Sequence, residues 1–240
     1  MPVHSRPRNS DAIKESTLSQ LKISHREQQR VQAQAAEIAA ELRAREESEA
    51  GCKNGARVRI RSQFKHESGP YVIALARELC SVHHCRWFSF CLLRYHPEAF
   101  MSLDDSLVEA FGHGIDNKTI VDSYARILAG PAWLHCLVSD DLIHRWCHSE
   151  NHWWRRAALI STLALNIRSA DGGTGDTPRT LTVCRMLVDD HDKMVYTALS
   201  RALRALVPHD AHALQAFVAE YKDQLAGQVR HEFTARTERG

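Results

Sequence analysis

A chain of 240 residues, 44% hydrophobic and 25% charged, is long enough to bury a core and fits one domain or one repeat array. Its formal net charge of +2 permits a nucleic-acid partner without requiring one. Seven irregularly spaced cysteines argue against a disulfide framework, and no apolar run resembles a secretory signal or a membrane span. We therefore expect a cytoplasmic protein.

The N-terminal region divides into three predicted segments. Residues 1–16 are polar and contain prolines, which is typical of a disordered tail. Residues 17 to about 49 are rich in Gln, Ala, Glu and Arg, and their apolar residues recur at the spacing of one long or broken helix. Residues 51–69 are basic and interrupted by glycine, so we expect residues 17–69 to form an N-terminal helix and a basic connection.

A regular succession of helices is predicted over residues 70–235. The predicted helices span about 70–80, 86–95, 103–112, 117–129, 139–148, 151–165, 177–188, 191–206 and 210–225. Glycine and proline mark the predicted boundaries between them, as at Gly130-Pro131 and Pro208. No window alternates β-branched residues, so the pattern predicts no sheet.

Two of these helices repeat one another. The repeated positions are Ala158, Leu159 and Leu163, followed forty residues later by Ala198, Leu199 and Leu203. A period near forty, with two helices in each unit, is typical of HEAT and armadillo repeats. The predicted fold class is therefore all-α, a HEAT-like superhelix of stacked helix pairs. The concave face of such a stack commonly binds an extended partner.

Three helices carry charged residues of interest. Asp122 lies on a polar stripe of the helix at 117–129, with Lys118 and Arg126 four residues to either side, a pattern that by itself indicates a solvated face. Arg201 and Arg204 lie on an outward, hydroxyl-bearing edge of the helix at 191–206. That edge suits phosphate contact but is also ordinary surface.

Arg156 stands out within the helix at 151–165, which is apolar on nearly every side. Arg155 falls on its polar stripe, whereas Arg156 falls between Ile160 and Leu163. An unpaired buried guanidinium is unfavourable by several kcal/mol, so Arg156 requires an anionic partner. A carboxylate within the fold and a phosphate at the edge of a groove both satisfy that requirement.

Cysteine and histidine cluster twice, which raises the alternative of a zinc-containing interaction module. The clusters are Cys80, His83, His84 and Cys85, and His144, Cys147 and His148. Neither has the paired spacing of a zinc finger, so we predict no metal site and no organic cofactor. The sequence also contains no phosphate-binding loop, dinucleotide glycine motif or nucleophile elbow.

From residue 71 to residue 232 the chain resembles the AlkD-type DNA alkylation repair proteins, which are HEAT-like DNA glycosylases. The matching segments are DNKTIVDSYARILAGPAW (116–133), SDDLIHRWCHSENHWWRRAALISTLALNIRS (139–169), GDTPRTLTVCRMLVDD (175–190) and MVYTALSRALRALVPHD (194–210). The resemblance implies an all-helical solenoid whose basic concave face holds duplex DNA. It also implies excision of N3- and N7-alkylated purines without flipping the base into a pocket.

The resemblance assigns particular residues to the family's site. The carboxylate that positions water and stabilises the cationic sugar falls on Asp122, and the arginine that holds the DNA backbone falls on Arg156. The family's two tryptophans fall on Lys118 and Arg201, neither of which is aromatic. We expect the Lys118 ammonium to reach Asp122, because four residues separate them on a helix.

These assignments predict a monomeric DNA glycosylase with impaired catalysis, acting on double-stranded DNA that carries alkylated bases, and no membrane association. Asp122 is the predicted catalytic residue. The predicted DNA contacts are Arg156, Lys118, Arg201, Arg204 and Arg155. The main alternative is a HEAT-like DNA-structure binder or protein scaffold that has lost excision.

Overall fold

The computed structural model describes residues 23–46, 56–167 and 172–237, and within those ranges the regular elements are helices, with no strand. The all-α fold class predicted from the sequence is therefore confirmed. Within the same ranges, no helix combines the length and apolar character needed to cross a bilayer.

The chain divides into two compact units, Met1–Phe111 and Gly112–Gly240. The domain boundaries predicted at residues 16, 69 and 235 stay predictions, and the tail predicted over residues 1–16 lies outside the described residues.

The first unit is built from six helices within its described part. They are α1 (His25–Glu46), α2 (Ala56–Gln63), α3 (Gly69–Ser81), α4 (Arg86–Tyr95), α5 (Pro97–Met101) and α6 (Asp105–Gly112), the last of which ends at the unit boundary. Helix α3 packs against α1, α4 and α5. The basic connection predicted over residues 51–69 contains α2, because Ile60 and Phe64 lie one turn apart and are both fully buried.

The second unit contains eight α-helices and one π turn in its described part. They are α7 (Lys118–Tyr124), the π turn (Ala125–Ala129), α8 (Gly130–Leu134), α9 (Asp140–Cys147), α10 (His152–Asn166), α11 (Thr177–Met186), α12 (Lys193–Leu206), α13 (Ala211–Glu220) and α14 (Gly227–Thr237). Polar side chains cap most of these helices: Asn117 accepts a hydrogen bond from the Ile120 amide at the start of α7, and Ser139 accepts one from Leu142 at the start of α9.

The helix boundary predicted at Gly130-Pro131 is wrong, because the backbone continues in helical conformation through both residues. The π turn ends there, with the Gly130 amide donating to the Ala125 carbonyl. A Cβ atom at Gly130 would come within 2.8 Å of the carbonyl oxygens of Ala125 and Ser161. Glycine is therefore needed for the close approach of this segment to α10, and proline is tolerated at the start of the next helix.

Helix α10 is the centre of the second unit. It packs against α7, the π turn, α8, α9, α11 and α12, and its most extensive contact is with α12. The six repeated positions noted in the sequence, on α10 and α12, are all buried. The helices of this unit thus stack on their neighbours in a manner consistent with the predicted helical repeat, and α10 places Arg156 in its interior.

Candidate functional site

The anionic partner that Arg156 requires is Asp122 of α7. The Arg156 side chain is 0% exposed, and its Nε donates to Oδ1 of Asp122 at 2.7 Å while Nη2 donates to Oδ2 at 2.9 Å. Two parallel charge-assisted hydrogen bonds of this kind fix both distance and orientation. Of the two partners that the sequence allowed, the structure shows the carboxylate within the fold.

The remaining nitrogen of Arg156 is held by α12. Nη1 donates to the Met194 carbonyl and, at 3.2 Å, to the Thr197 hydroxyl. All three guanidinium nitrogens therefore have partners inside the second unit. Since the side chain is enclosed, it can contact a phosphate only if this arrangement opens.

A second guanidinium shares the same carboxylate. Arg201 of α12 donates from Nη1 to Oδ2 of Asp122 at 2.6 Å, and its side chain is 34% exposed. One negative charge is thus set between two positive charges, in what we call the Asp122 cluster (Asp122, Arg156 and Arg201). The cluster carries a net charge of +1, and its carboxylate remains 18% exposed.

Lys118 does not join the Asp122 cluster. The sequence led us to expect its ammonium on Asp122, yet in the described part of the chain both ion pairs of Asp122 are with arginines. Asp122 points toward α10 and α12, whereas Lys118 is exposed at the first position of α7. Helical spacing permits the Lys118 pair, but the buried guanidinium of Arg156 has more to gain from the carboxylate.

Arg155 forms a separate ion pair. Its Nε donates to Oδ2 of Asp190 at 2.6 Å, and its Nη1 donates to the carbonyl oxygens of Ser149 and Glu150 at 2.8 and 2.9 Å. These bonds tie α10 to the loop that precedes it and to the loop that follows α11. Arg155 is therefore held by the fold on one side of α10, and Arg156 on another.

Arg204 is paired with the C-terminal helix. Nη2 of Arg204 lies 2.7 Å from Oε1 of Glu232 on α14, and the Ser200 hydroxyl donates to the other carboxylate oxygen. The Arg204 side chain nevertheless remains 51% exposed. Nε of Arg204 also donates to Oε1, so two guanidinium nitrogens and a hydroxyl surround the Glu232 carboxylate, and an anion such as phosphate could take its position.

Arg201 and Arg204 also line an open cleft of about 730 Å³ in the second unit, together with Arg126 from the π turn and His209. We call it the arginine cleft. Its apolar wall is formed by Leu163, Ile167, Ala205 and Pro208. No carboxylate is among the described residues that line it. Arg126 was missed as a site residue because its sequence pattern matched a solvated helix face; π turns are nonetheless frequent at functional sites.

Three aromatic side chains of the second unit pack together: Tyr124 of α7 and Trp146 of α9 are buried, and Trp154 of α10 is half-buried. Tyr124 and Trp154 lie 6.1 Å apart between ring centroids, and Trp146 lies 4.9 Å from Trp154. These rings pack against each other, and none of them lines the arginine cleft. They therefore do not take the place of the two tryptophans that the resemblance assigns to positions 118 and 201.

Among the described residues, no group of three or more His, Cys, Asp or Glu side chains is arranged to hold a metal ion. Cys80 and Cys147 are buried instead. Burial raises the pKa of the Cys147 thiol to about 12, and it raises that of Cys80 as well. Both thiols are part of the hydrophobic core, which accounts for their burial.

The second unit thus combines a buried arginine–carboxylate pair with a cationic cleft, and a cationic cleft is compatible with an anionic partner such as a nucleic acid. The chain belongs to the DNA alkylation repair enzyme family, whose sequence pattern matches residues 23–234. The match spans both compact units and supports a role in DNA alkylation repair. No curated protein and no solved structure matches the chain significantly.

Proposed function

We propose that this protein is an AlkD-type, HEAT-like DNA glycosylase that binds alkylated double-stranded DNA tightly and releases N3- and N7-alkylated purines slowly. The observation that carries the proposal is the Asp122 cluster, in which the carboxylate is aligned by Arg156 and offset by Arg201. The family match supports the DNA repair role. The geometry of the Asp122 cluster supports tight DNA binding combined with slow base release.

The reaction requires a carboxylate but no acid on the leaving base. Breaking the bond between C1′ and the base nitrogen sends the electron pair to the base, and an alkylated purine is already cationic, so it departs neutral without protonation. Positive charge then develops on the sugar and is stabilised by a nearby carboxylate, which also orients the attacking water. Asp122 is the residue that we assign to this role.

Arg156 acts in this proposal as a positioning residue. Its bidentate contact and its bonds to α12 fix the Asp122 carboxylate in one orientation. Its effect on DNA binding is therefore exerted through Asp122 and through the placement of α7 against α12. Arg155 has a similar indirect effect through the loop that contains Asp190.

Arg201 has two opposing effects. It offsets the negative charge of Asp122 where the cationic sugar would develop, which raises the barrier to excision. The same guanidinium lines the arginine cleft and favours phosphate binding. The exposed residues Lys118 and Arg204 and the half-buried Arg201 supply the proposed contacts to the DNA backbone.

The test is to measure DNA binding and base release on the same duplex. Binding should weaken with salt along a log–log slope of about −0.9 per neutralised phosphate. Single-turnover release of 7-methylguanine or 3-methyladenine should be detectable but slow. Salt-sensitive binding without any release would favour the non-catalytic alternative, for which the pairing of Arg201 with Asp122 is the supporting observation. Absence of DNA binding would contradict the proposal as a whole.

A further inference from the structure

Arg126 is the guanidinium of the arginine cleft that has no partner in the described part of the chain. Arg201 is bound to Asp122, and Arg204 is bound to Glu232. Arg126 lines the same cleft, is exposed, and makes no hydrogen bond or ion pair with a described residue. Because the fold uses none of its five N–H donors within those residues, the side chain is available to an external acceptor.

The charge around Arg126 favours an anion. No carboxylate is among the described residues that line the cleft. The Asp122 cluster carries a net charge of +1, the pair of Arg204 and Glu232 carries none, and Arg126 adds one positive charge, so together they carry +2. A phosphate suits this place, because its oxygens accept two parallel charge-assisted hydrogen bonds from one planar guanidinium.

Arg126 also lies close to the carboxylate that we assign to the reaction. It follows Asp122 by four residues in one continuous helical segment, formed by α7 and the π turn, so the two lie about 6 Å apart along the axis. Arg201 contacts Asp122 and lines the cleft together with Arg126, so the cleft begins beside the carboxylate. Each deoxyribose of DNA is joined directly to two phosphates. An arginine one helical turn from Asp122 is therefore close enough to bind one of them.

We propose that Arg126 binds a backbone phosphate of the damaged strand, next to the deoxyribose on which Asp122 acts. The phosphate enters the open cleft from the surface of a paired duplex, and the base stays in the helical stack. The contact does not require Arg201 to leave Asp122 or Arg204 to leave Glu232. The inference rests on the proposed DNA-binding function and adds a DNA contact that the sequence did not predict.

The salt dependence of binding tests this contact. Arg126→Gln should weaken binding of a paired duplex about tenfold, as expected for the loss of one charge-assisted interaction. Because one phosphate is no longer neutralised, the log–log salt slope should become less steep by about 0.9. Arg126→Lys should keep the wild-type slope. Arg145→Gln, which removes an exposed arginine from α9, is the matched control and should also keep it.

A neutral linkage locates the bound phosphate. Paired duplexes of one sequence carry a non-hydrolysable analogue of N3-methyladenine and a single methylphosphonate, which is placed at successive positions of the damaged strand. Fluorescence anisotropy should show that the wild-type protein loses about tenfold in affinity when the neutral linkage adjoins the analogue. Arg126→Gln should lose nothing further at that position, because the two changes remove the same interaction.

Equal salt slopes for Arg126→Gln and Arg145→Gln would overturn the inference. Additive losses from Arg126→Gln and the adjoining neutral linkage would also overturn it, because Arg126 would then not bind that phosphate. Should Arg126→Gln fail to fold, the wild-type protein decides alone: if it tolerates neutral linkages on both sides of the analogue, the inference is wrong. In each of these cases salt-sensitive binding by the wild-type protein would still uphold the proposed function, whereas failure to bind any of the duplexes would contradict the proposed function.

Discussion

Two consecutive arginines on α10 show how differently one helix can use the same side chain. Arg155 pairs one-to-one with Asp190 and gives its remaining bonds to backbone carbonyls. Arg156 pairs with Asp122, but that carboxylate also holds Arg201. The first pair is electrically complete, whereas the second leaves one positive charge in excess beside a cleft. The Arg155–Asp190 pair therefore only holds the fold. The Asp122 cluster, in contrast, leaves the partly exposed guanidinium of Arg201 available to an anionic ligand.

The largest difference between the two ion pairs should appear in base release when the carboxylate of each is removed. Asp122→Asn keeps the size of the side chain and deletes the charge that stabilises the sugar cation, so single-turnover base release should fall by about 100-fold or more. Asp190→Asn deletes the carboxylate of Arg155 and should leave release nearly unchanged. The comparison would fail if the two variants released alkylated purines at the same rate while both remained folded by circular dichroism.

Replacing each arginine should change the free energy of unfolding, and by different amounts. Arg156→Ala leaves Asp122 without its bidentate partner and opens a cavity at a fully buried position, which should lower the free energy of unfolding by about 3–5 kcal/mol. Arg155→Ala should cost less than half of that, because the Arg155 side chain is 19% exposed whereas that of Arg156 is fully enclosed. Urea denaturation measures both, and equal losses would contradict the difference in burial.

A third ion pair, between Arg204 and Glu232, should have a smaller effect, in this case on DNA affinity. Glu232→Gln should free Arg204 and strengthen DNA binding by about threefold, a modest gain because an exposed ion pair contributes little. Glu220→Gln removes the same charge from an exposed position of α13 and serves as the control. Identical affinities for the two variants would show that only net charge matters, and that Glu232 does not compete with phosphate.

Local signals were sufficient to predict most helices and the burial of α10. Capping residues such as Asn117 and Ser139 lie at the start of helices, and the apolar character of α10 identified a buried helix. The need of Arg156 for an anionic partner also followed from the sequence, because a buried unpaired guanidinium is unfavourable. These are properties of a residue and its near neighbours.

The partners themselves could not be predicted from spacing. Asp122 lies 34 residues from Arg156 and 79 from Arg201, so their meeting depends on how α7, α10 and α12 pack. The i, i+4 rule favoured Lys118 instead and failed, because it describes an isolated helix. Arg126 likewise lies in the π turn and lines the cleft, but the sequence did not predict that turn. Gly130 and Pro131 indicated only the end of a helix.

In the proposed mechanism Arg201 restrains the chemistry of Asp122, and the decisive measurement is single-turnover release of 7-methylguanine from methylated duplex DNA. Arg201→Trp removes the second guanidinium and should raise the rate by about tenfold, equivalent to about 1.4 kcal/mol of barrier. Lys118→Trp should have little effect alone, because Lys118 is not paired with Asp122, and both replacements together should raise release further while modestly weakening binding. Adding Asp122→Asn to Arg201→Trp should abolish the gain. Release by Arg201→Trp that is no faster than wild type, or a gain in rate that survives loss of Asp122, would show that Arg201 does not restrain Asp122.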